Sequence, residues 1–247
     1  MARNSGIEWT DHTWNPWYGC LKVSTGCVNC YMYREFQRFG LKNPNVCRRS
    51  KTTFNDPMKW EGPATVFACS WSDWFHGQAD AWRDEAWEII RRTPTLTYLL
   101  LTKRPEMAVK RLPHDWGQGW QNVWIGTSIE DQASARARLR RLAEIPAQHR
   151  FLSVEPLIAP VDLSTAATAV DLRQFVQWII CGGETGPRAR TCDLQWIRTV
   201  RDTAVAAAIP FFVKSHGGHD GNGRALDGIT WSEFPEDLCR RAGGRCY

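Results

Sequence analysis

Three cysteines near the N-terminus are the residues of this sequence best suited to chemistry. Cys20, Cys27 and Cys30 form a C-x6-C-x2-C pattern, and Gly19 and Gly26 directly precede the first two. Cysteine thiolates at short spacing bind soft metals, and glycines let the backbone fold closely around an inorganic centre. The pattern predicts a [4Fe-4S] cluster with one open iron, or alternatively a zinc site.

The choice between iron and zinc depends on a fourth ligand. Zinc would take His12, Cys47 or a catalytic water as its fourth ligand. No second C-x2-C pair follows at the distance usual in zinc ribbons, which favours iron-sulfur. A chain of 247 residues can bury a core without a structural metal, so we expect the centre to be functional.

Polar side chains follow six predicted strands, at the point where each strand ends. Apolar and β-branched runs predict strands at 65–69, 97–101, 123–126, 150–153, 178–181 and 210–213. The residues at their ends are the polar Ser70, Ser72, Asp73, Thr102, Lys103, Arg104, Thr127, Ser128, Glu130, Ser153, Glu155, Glu184, Lys214, Ser215 and His216, together with Gly182 and Gly183. Because parallel strands end at one mouth, these residues predict a single enzyme-like site.

Amphipathic helical patterns separate the strands. Residues 81–91 place Trp82, Ala86 and Ile89 on one face, and residues 194–208 carry a similar stripe after the possible N-cap Asp193. This alternation predicts an α/β fold with a parallel sheet, either doubly wound or a closed or partial barrel. We expect a loop at 43–62, and an irregular, Gly-rich tail from about residue 215.

Composition excludes several classes of protein. With 43% hydrophobic and 23% charged residues, the chain is not collagen-like, disordered or of low complexity. No signal peptide or apolar stretch of roughly 18 residues is present, so we expect a cytoplasmic protein that does not bind membranes. Nine cysteines without a secretion signal favour reduced thiols or metal ligands. The net charge of +5 permits a polyanionic substrate.

The cysteine segment and its surroundings resemble the radical S-adenosylmethionine (SAM) superfamily, and more closely a three-cysteine-motif family of phages and bacteria. The matching segments are IEWTDHTWNPWYGCLKVSTGCVNCY, FACSWSDWFH, LLLTKRPE, VWIGTSIEDQ, FLSVEPLIAPVDL, WIICGGETGPRAR and PFFVKSHGG. LLLTKRPE and VWIGTSIED also resemble strands of spore photoproduct lyase-type enzymes. The resemblance implies one domain over residues 1–247, a partial (β/α) TIM-like barrel of about six parallel strands.

The resemblance also implies roles for individual residues. Cys20, Cys27 and Cys30 would hold three irons of the cluster, and SAM would chelate the fourth. Reduction would cleave SAM to methionine and a 5′-deoxyadenosyl radical. By analogy, the residues that bind the cofactor are Ser70, Ser72 and Asp73 for the SAM amino group, Lys103 for its carboxylate, Ser128 for the ribose, and Gly182 and Gly183. The candidate catalytic residues are Lys103, Glu155 and Glu184.

Two features depart from the superfamily pattern. The first cysteine gap has six residues instead of the usual three, and Gly182-Gly183-Glu184 follows a late strand, whereas the similar superfamily motif follows the second. An electron donor and a companion protein are the partners that the resemblance implies, and a nucleoside or nucleic acid is the expected substrate.

An alternative function is a nucleic-acid or partner-binding protein with a structural zinc or iron-sulfur centre. This hypothesis rests on the abundant tryptophan and on basic residues, namely Arg48, Arg49, Lys51, Arg136, Arg138, Arg140 and Arg141. Such arginine runs are usually solvated faces of helices. Trp14, Trp17, Trp71 and Trp74 flank the predicted site, and we expect them to serve mainly in packing. A third hypothesis is a barrel that holds a cluster without productive SAM binding and works with a companion protein.

Overall fold

A parallel sheet of seven strands forms the centre of the molecule, which we describe from a computed structural model covering residues 5–166, 171–221 and 223–241. The strands are β1 (His12–Trp14), β2 (Ala64–Ala68), β3 (Leu96–Thr102), β4 (Val123–Ser128), β5 (His149–Val154), β6 (Trp178–Gly182) and β7 (Phe211–Ser215). Each strand pairs in parallel with the next along the chain. The sheet curls into a half-barrel with β1 and β7 at its edges.

Seven α-helices accompany the sheet within the described residues. They are α1 (Tyr31–Arg38), α2 (Asp80–Arg92), α3 (Gln132–Ala143), α4 (Leu163–Ala166), α5 (Leu172–Phe175), α6 (Leu194–Ala206) and α7 (Glu236–Arg241). The Asp131 carboxylate accepts a hydrogen bond from the backbone N–H of Ser134, and Asp193 accepts one from Gln195. Both aspartates therefore cap their helices, as predicted for Asp193.

Shorter elements complete the fold. Single 3-10 turns lie at Thr25–Cys27, Asp56–Lys59, Gly77–Ala79, Pro105–Met107 and Val109–Arg111. Two antiparallel ribbons pair Trp17–Tyr18 with Arg48–Arg49, and Ala225–Leu226 with Ile229–Thr230. No helix in the described ranges is long and apolar enough to cross a membrane.

The predicted α/β fold with a parallel sheet is confirmed. All six predicted strands are present, with ends within two residues of the predicted ones. The sheet also contains β1, which the sequence does not predict. Its three residues are too few to show the alternation of side chains that marks a strand. The tail is less irregular than expected, because it contains the second ribbon and α7. Of the nine cysteines, Cys239 is disulfide-bonded, whereas seven described ones are free.

Large apolar side chains fill the concave face of the half-barrel near the amino ends of its strands. The cluster consists of Trp9, Phe67, Leu99, Trp124, Phe151, Trp178, Ile180, Phe212 and Leu238. Successive side chains alternate between the faces of a strand, so residues an even number of positions further along share this face. Leu101, Ser128, Ser153 and Lys214 are such residues, and they line a cavity. The filled end of the half-barrel therefore forms the floor of that cavity.

Candidate functional site

A cavity of about 730 Å³ opens where the strands of the half-barrel end. Its walls contain most of the predicted site residues, namely Cys20, Cys27, Cys30, Ser70, Ser72, Asp73, Lys103, Ser128, Glu155 and Glu184. The structure thus brings together residues from the cysteine pattern and from the ends of five strands. This volume is in the usual range for sites that bind small molecules, about 300–1,000 Å³.

The cysteine loop, residues 19–30, forms one wall of the cavity. Cys20, Cys27 and Cys30 are free thiols, and Cys30 directly precedes α1. Arg104 Nη1 lies 3.7 Å from the Sγ of Cys20, and Ser24 Oγ lies 3.6 Å from the Sγ of Cys27. Within the described ranges, however, no three His, Cys, Asp or Glu side chains are grouped so that they could hold a metal ion. The thiols share a wall without forming a ready-made ligand set.

Cysteine thiols are nevertheless the ligand type that iron-sulfur clusters use. Burial raises the pKa of Cys20 to about 12 and also raises the pKa of Cys30. Both are protonated thiols at neutral pH, and a bound metal would displace their protons. Arg104 donates a hydrogen bond to the Sγ of Cys20, and such a bond stabilises a thiolate that binds a metal.

The two side chains proposed as a fourth zinc ligand have other partners. His12 packs against Trp60 with ring centroids 4.7 Å apart. The Sγ of Cys47 is buried 3.3 Å from Nδ1 of His76 and 2.9 Å from the carbonyl oxygen of Gly19. Neither His12 nor Cys47 lines the cavity.

Asp73 joins the ends of two strands. Its carboxylate accepts hydrogen bonds from Thr102 Oγ1 at 2.8 Å and from the backbone N–H groups of Lys103 and Phe75, both at 2.9 Å. The residue is only 4% exposed. These bonds hold the loop after β2 against the end of β3, so much of the hydrogen-bonding capacity of Asp73 is used within the protein.

Glu130 is a buried residue behind the cavity wall, which the sequence places at a strand end without assigning it a role. It is fully buried, and its Oε1 accepts hydrogen bonds from Lys103 Nζ at 2.6 Å and from Ser24 Oγ at 2.9 Å. Its Oε2 lies 3.0 Å from Arg138 Nη1. Burial acts to raise the pKa of Glu130, but the charges of Lys103 and Arg138 outweigh burial and the pKa is lowered. Glu130 is therefore an ionised anchor between the cysteine loop, β3 and α3.

Glu184 anchors the cysteine loop from the other side. Its carboxylate accepts hydrogen bonds from Arg190 Nη2 at 2.5 Å and from Asn29 Nδ2 at 2.9 Å. Arg190 Nη1 also donates to the carbonyl oxygen of Thr25 at 3.0 Å. Burial acts to raise the pKa of Glu184, and the hydrogen bonds from Arg190 and Asn29 outweigh burial and lower it. A carboxylate engaged in this way holds the loop in place.

Glu155 and Lys214 form an ion pair across the ends of β5 and β7. Lys214 Nζ donates to Glu155 Oε1, and both side chains line the cavity. Both are partly accessible, at 18% for the Glu155 side chain and 32% for that of Lys214. The pair therefore presents a donor and an acceptor to a ligand.

The three predicted serines lie on the cavity walls with different partners. Ser70 Oγ accepts from Asn15 Nδ2 at 2.9 Å, and Ser72 Oγ donates to the carbonyl oxygen of Gly19 at 2.6 Å. Ser128 is buried at the end of β4, on the concave face. Their hydroxyl groups can complete hydrogen bonds to a ligand at three positions around the cavity.

Gly182 and Gly183 do not line the cavity. A Cβ on Gly183 would lie 2.6 Å from the carbonyl oxygen of His216, and one on Gly182 would lie 3.2 Å from that of Ser215. Gly182 packs closely against the end of β7, and Gly183 packs closely against the chain that follows β7. The need for glycine here is thus explained by backbone packing.

Packing is confirmed for most of the tryptophans near the site. Trp14, Trp17 and Trp74 are fully buried in the main core, whereas Trp71 lines the cavity.

The arginines of α3 were expected to lie on a solvated face of the helix. Arg136, Arg140 and Arg141 are indeed exposed. Arg138, however, is only 8% exposed and donates to the carbonyl oxygen of Ser128.

Comparison with known proteins identifies a family. Neither a search of curated proteins nor one of solved structures found a match. Residues 4–235 match a family model described as "Protein of unknown function (DUF5131)". Because the match extends over nearly the whole chain, the protein belongs to the DUF5131 family.

Proposed function

We propose that this protein is an iron-sulfur enzyme of the radical SAM type, acting on a substrate held in the half-barrel. The observation that carries the proposal is the placement of three free thiols on one wall of a cavity at the carboxyl edge of a parallel sheet. Ligand sites of parallel α/β folds lie at this edge, because loops from several strands meet there.

Cys20, Cys27 and Cys30 would hold the cluster in this proposal. The chemistry that such a group supplies when bound is the one-electron reduction of SAM. Arg104 would donate to the sulfur of Cys20, and Glu130 and Glu184 would hold the loop that carries the thiols.

Lys103 would bind the carboxylate of SAM from the neighbouring wall. Its ammonium group has three donors, and the bond to Glu130 uses one of them. Ser128 faces the same cavity and would donate to a ribose hydroxyl. The aromatic floor would keep water from the reacting atoms, which matters because a carbon radical reacts with stray hydrogen donors.

Electron paramagnetic resonance tests the proposal directly. Protein reconstituted without oxygen and reduced with dithionite should show a [4Fe-4S] signal that changes when SAM is added. The Cys27→Ser variant should lose iron and sulfide, whereas Cys192→Ser, which changes a free cysteine outside the cavity, should keep both. Production of 5′-deoxyadenosine should follow the same pattern.

Two outcomes would contradict the proposal. A cluster signal that SAM leaves unchanged would indicate an electron-transfer or structural centre. Stoichiometric zinc without a cluster would favour the alternative of a binding protein with a structural metal.

A further inference from the structure

The positive charge of the chain is concentrated in one segment beside the cavity. Residues 20–51 contain seven Lys or Arg and a single acidic residue, Glu35, whereas the whole chain has a net charge of +5. The rest of the chain is therefore nearly neutral. Four of these basic residues, Lys22, Arg38, Lys42 and Lys51, are exposed to solvent. A local charge of this size attracts polyanions, even where the total charge of a protein is modest.

Exposed or partly exposed aromatic side chains lie in or next to this segment and the cavity. Phe39 is 59% exposed and Tyr31 is 41% exposed, although both are large and hydrophobic. Phe39 lies 5.8 Å from Trp71 between ring centroids, and the guanidinium carbon of Arg38 lies 5.6 Å from the Phe39 centroid. Tyr31 and Trp71 line the cavity. We call Tyr31, Phe39 and Trp71 the aromatic rim.

Residues with hydroxyl side chains flank Lys51 in the sequence. They are Ser50, Thr52 and Thr53, and all three line the cavity. Hydroxyl side chains next to Lys and Arg are common phosphate contacts in complexes with nucleic acids. Backbone phosphates would thus find cations and hydroxyls here, with the aromatic rim at the same mouth.

We propose that residues 31–53 and Trp71 form a binding surface for single-stranded nucleic acid, which presents a nucleotide to the cavity. Basic residues that contact phosphates, combined with exposed aromatic rings that stack on bases, bind single strands with little sequence preference. A duplex keeps its bases stacked inside, so it cannot use the aromatic rim in this way. The inference deepens the proposed function, because it names the substrate class of the same cavity.

Binding can be measured by fluorescence anisotropy with labelled single-stranded DNA and RNA oligonucleotides of one mixed sequence. The decisive variant combines Arg38→Ser, Lys42→Ser and Lys51→Ser. Each phosphate contact contributes about −0.7 to the slope of log K against log salt concentration, so the slope should become shallower by about 2. The control combines Arg92→Ser, Lys110→Ser and Arg136→Ser, three exposed basic residues outside the surface, and should keep the slope.

A second variant tests stacking. Phe39→Ala should weaken binding of the oligonucleotide about tenfold, a loss typical of one stacked base, whereas Phe39→Tyr should retain binding. Circular dichroism should show that both variants stay folded, because the side chain is mostly exposed.

The proposal is overturned if no oligonucleotide binds, if duplex binds as tightly as single strand, or if the triple variant keeps the slope of the unmodified protein. The measurement uses the protein both before and after cluster reconstitution. Oligonucleotide binding without SAM cleavage would reject only the radical SAM function, and SAM cleavage without oligonucleotide binding would reject only this surface.

Discussion

At the scale of single residues, Glu130 shows how a buried charge organises the site. Its oxygens contact Ser24 of the cysteine loop, Lys103 after β3 and Arg138 of α3. A buried carboxylate is tolerated only where cations and donors replace its lost hydration. Gly26 also packs against it, since a Cβ there would lie 2.3 Å from Cγ of Glu130.

Replacing Glu130 with glutamine should destabilise the protein by about 3 kcal/mol, because removing one member of a buried ionic group leaves the other charges uncompensated. Urea unfolding measures this change. Glu144→Gln is the control, since Glu144 pairs with Arg141 at the surface and is 44% exposed. The control should change stability by less than about 1 kcal/mol. Equal stability of Glu130→Gln and the unmodified protein would contradict the anchoring role.

The difference in unfolding free energy between the unmodified protein and Glu130→Gln should depend on pH. The pKa of Glu130 is lowered in the folded state from the ordinary value of 4.5, so its ionised form contributes stability above pH 4.5. That contribution is lost as the pH falls through the lowered pKa. The difference in unfolding free energy between the unmodified protein and Glu130→Gln should therefore shrink below pH 4.5.

At the scale of elements, the cysteine loop depends on contacts from distant parts of the chain. The loop contains one 3-10 turn, Thr25–Cys27, and little regular structure of its own. The Glu184–Arg190 pair after β6 binds the loop at Thr25 and Asn29, and Glu130 binds it at Ser24. Such a loop opens locally when its external hydrogen bonds are removed.

Arg190→Met should loosen the cysteine loop, because it removes the bonds to Glu184 and to the carbonyl oxygen of Thr25. Hydrogen exchange measured by mass spectrometry should be faster by about tenfold in residues 24–30, as expected when about 1.4 kcal/mol of local stability is lost. The control Arg198→Met breaks an exposed pair with Asp227 and should leave this segment unchanged. Unaltered exchange in Arg190→Met would show that other contacts hold the loop.

At the scale of the whole molecule, complementary side-chain sizes fill the floor of the half-barrel. Trp124, Phe151 and Trp178 occupy the concave face, and Gly126 leaves room for the ring of Phe151. A Cβ at position 126 would lie 2.4 Å from Cε1 of that ring. The floor separates the cavity from the other end of the sheet.

Gly126→Ala should lower the free energy of unfolding by about 1–3 kcal/mol, the usual effect of inserting a methyl group into a packed core. Gly6→Ala is the matched control, because nothing lies within 4 Å of a Cβ at that position. Urea unfolding of both variants measures the difference. Unchanged stability of Gly126→Ala would mean that Phe151 moves aside without loss of packing.

Patterns in the sequence are enough to predict the α/β class, six strands and the meeting of polar residues at one edge. These are local properties, because periodicity marks each strand and a parallel sheet brings the carboxyl ends together. The N-cap Asp193 also follows from local pattern, and the expected packing role of Trp14 is confirmed by its burial. Metal binding by Cys20, Cys27 and Cys30 stays a prediction.

Which polar groups bind one another depends instead on how the strands are arranged in space. Ser24 and Glu130 are 106 residues apart, and Thr25 and Arg190 are 165 apart, yet each pair is hydrogen-bonded. Sequence spacing carries no information on such partners, because the curl of the sheet sets the distance between its strand ends. The same curl brings Lys214 close to Glu155 and packs aromatic rings together in the floor. As a result, the ends of the seven strands surround a cavity.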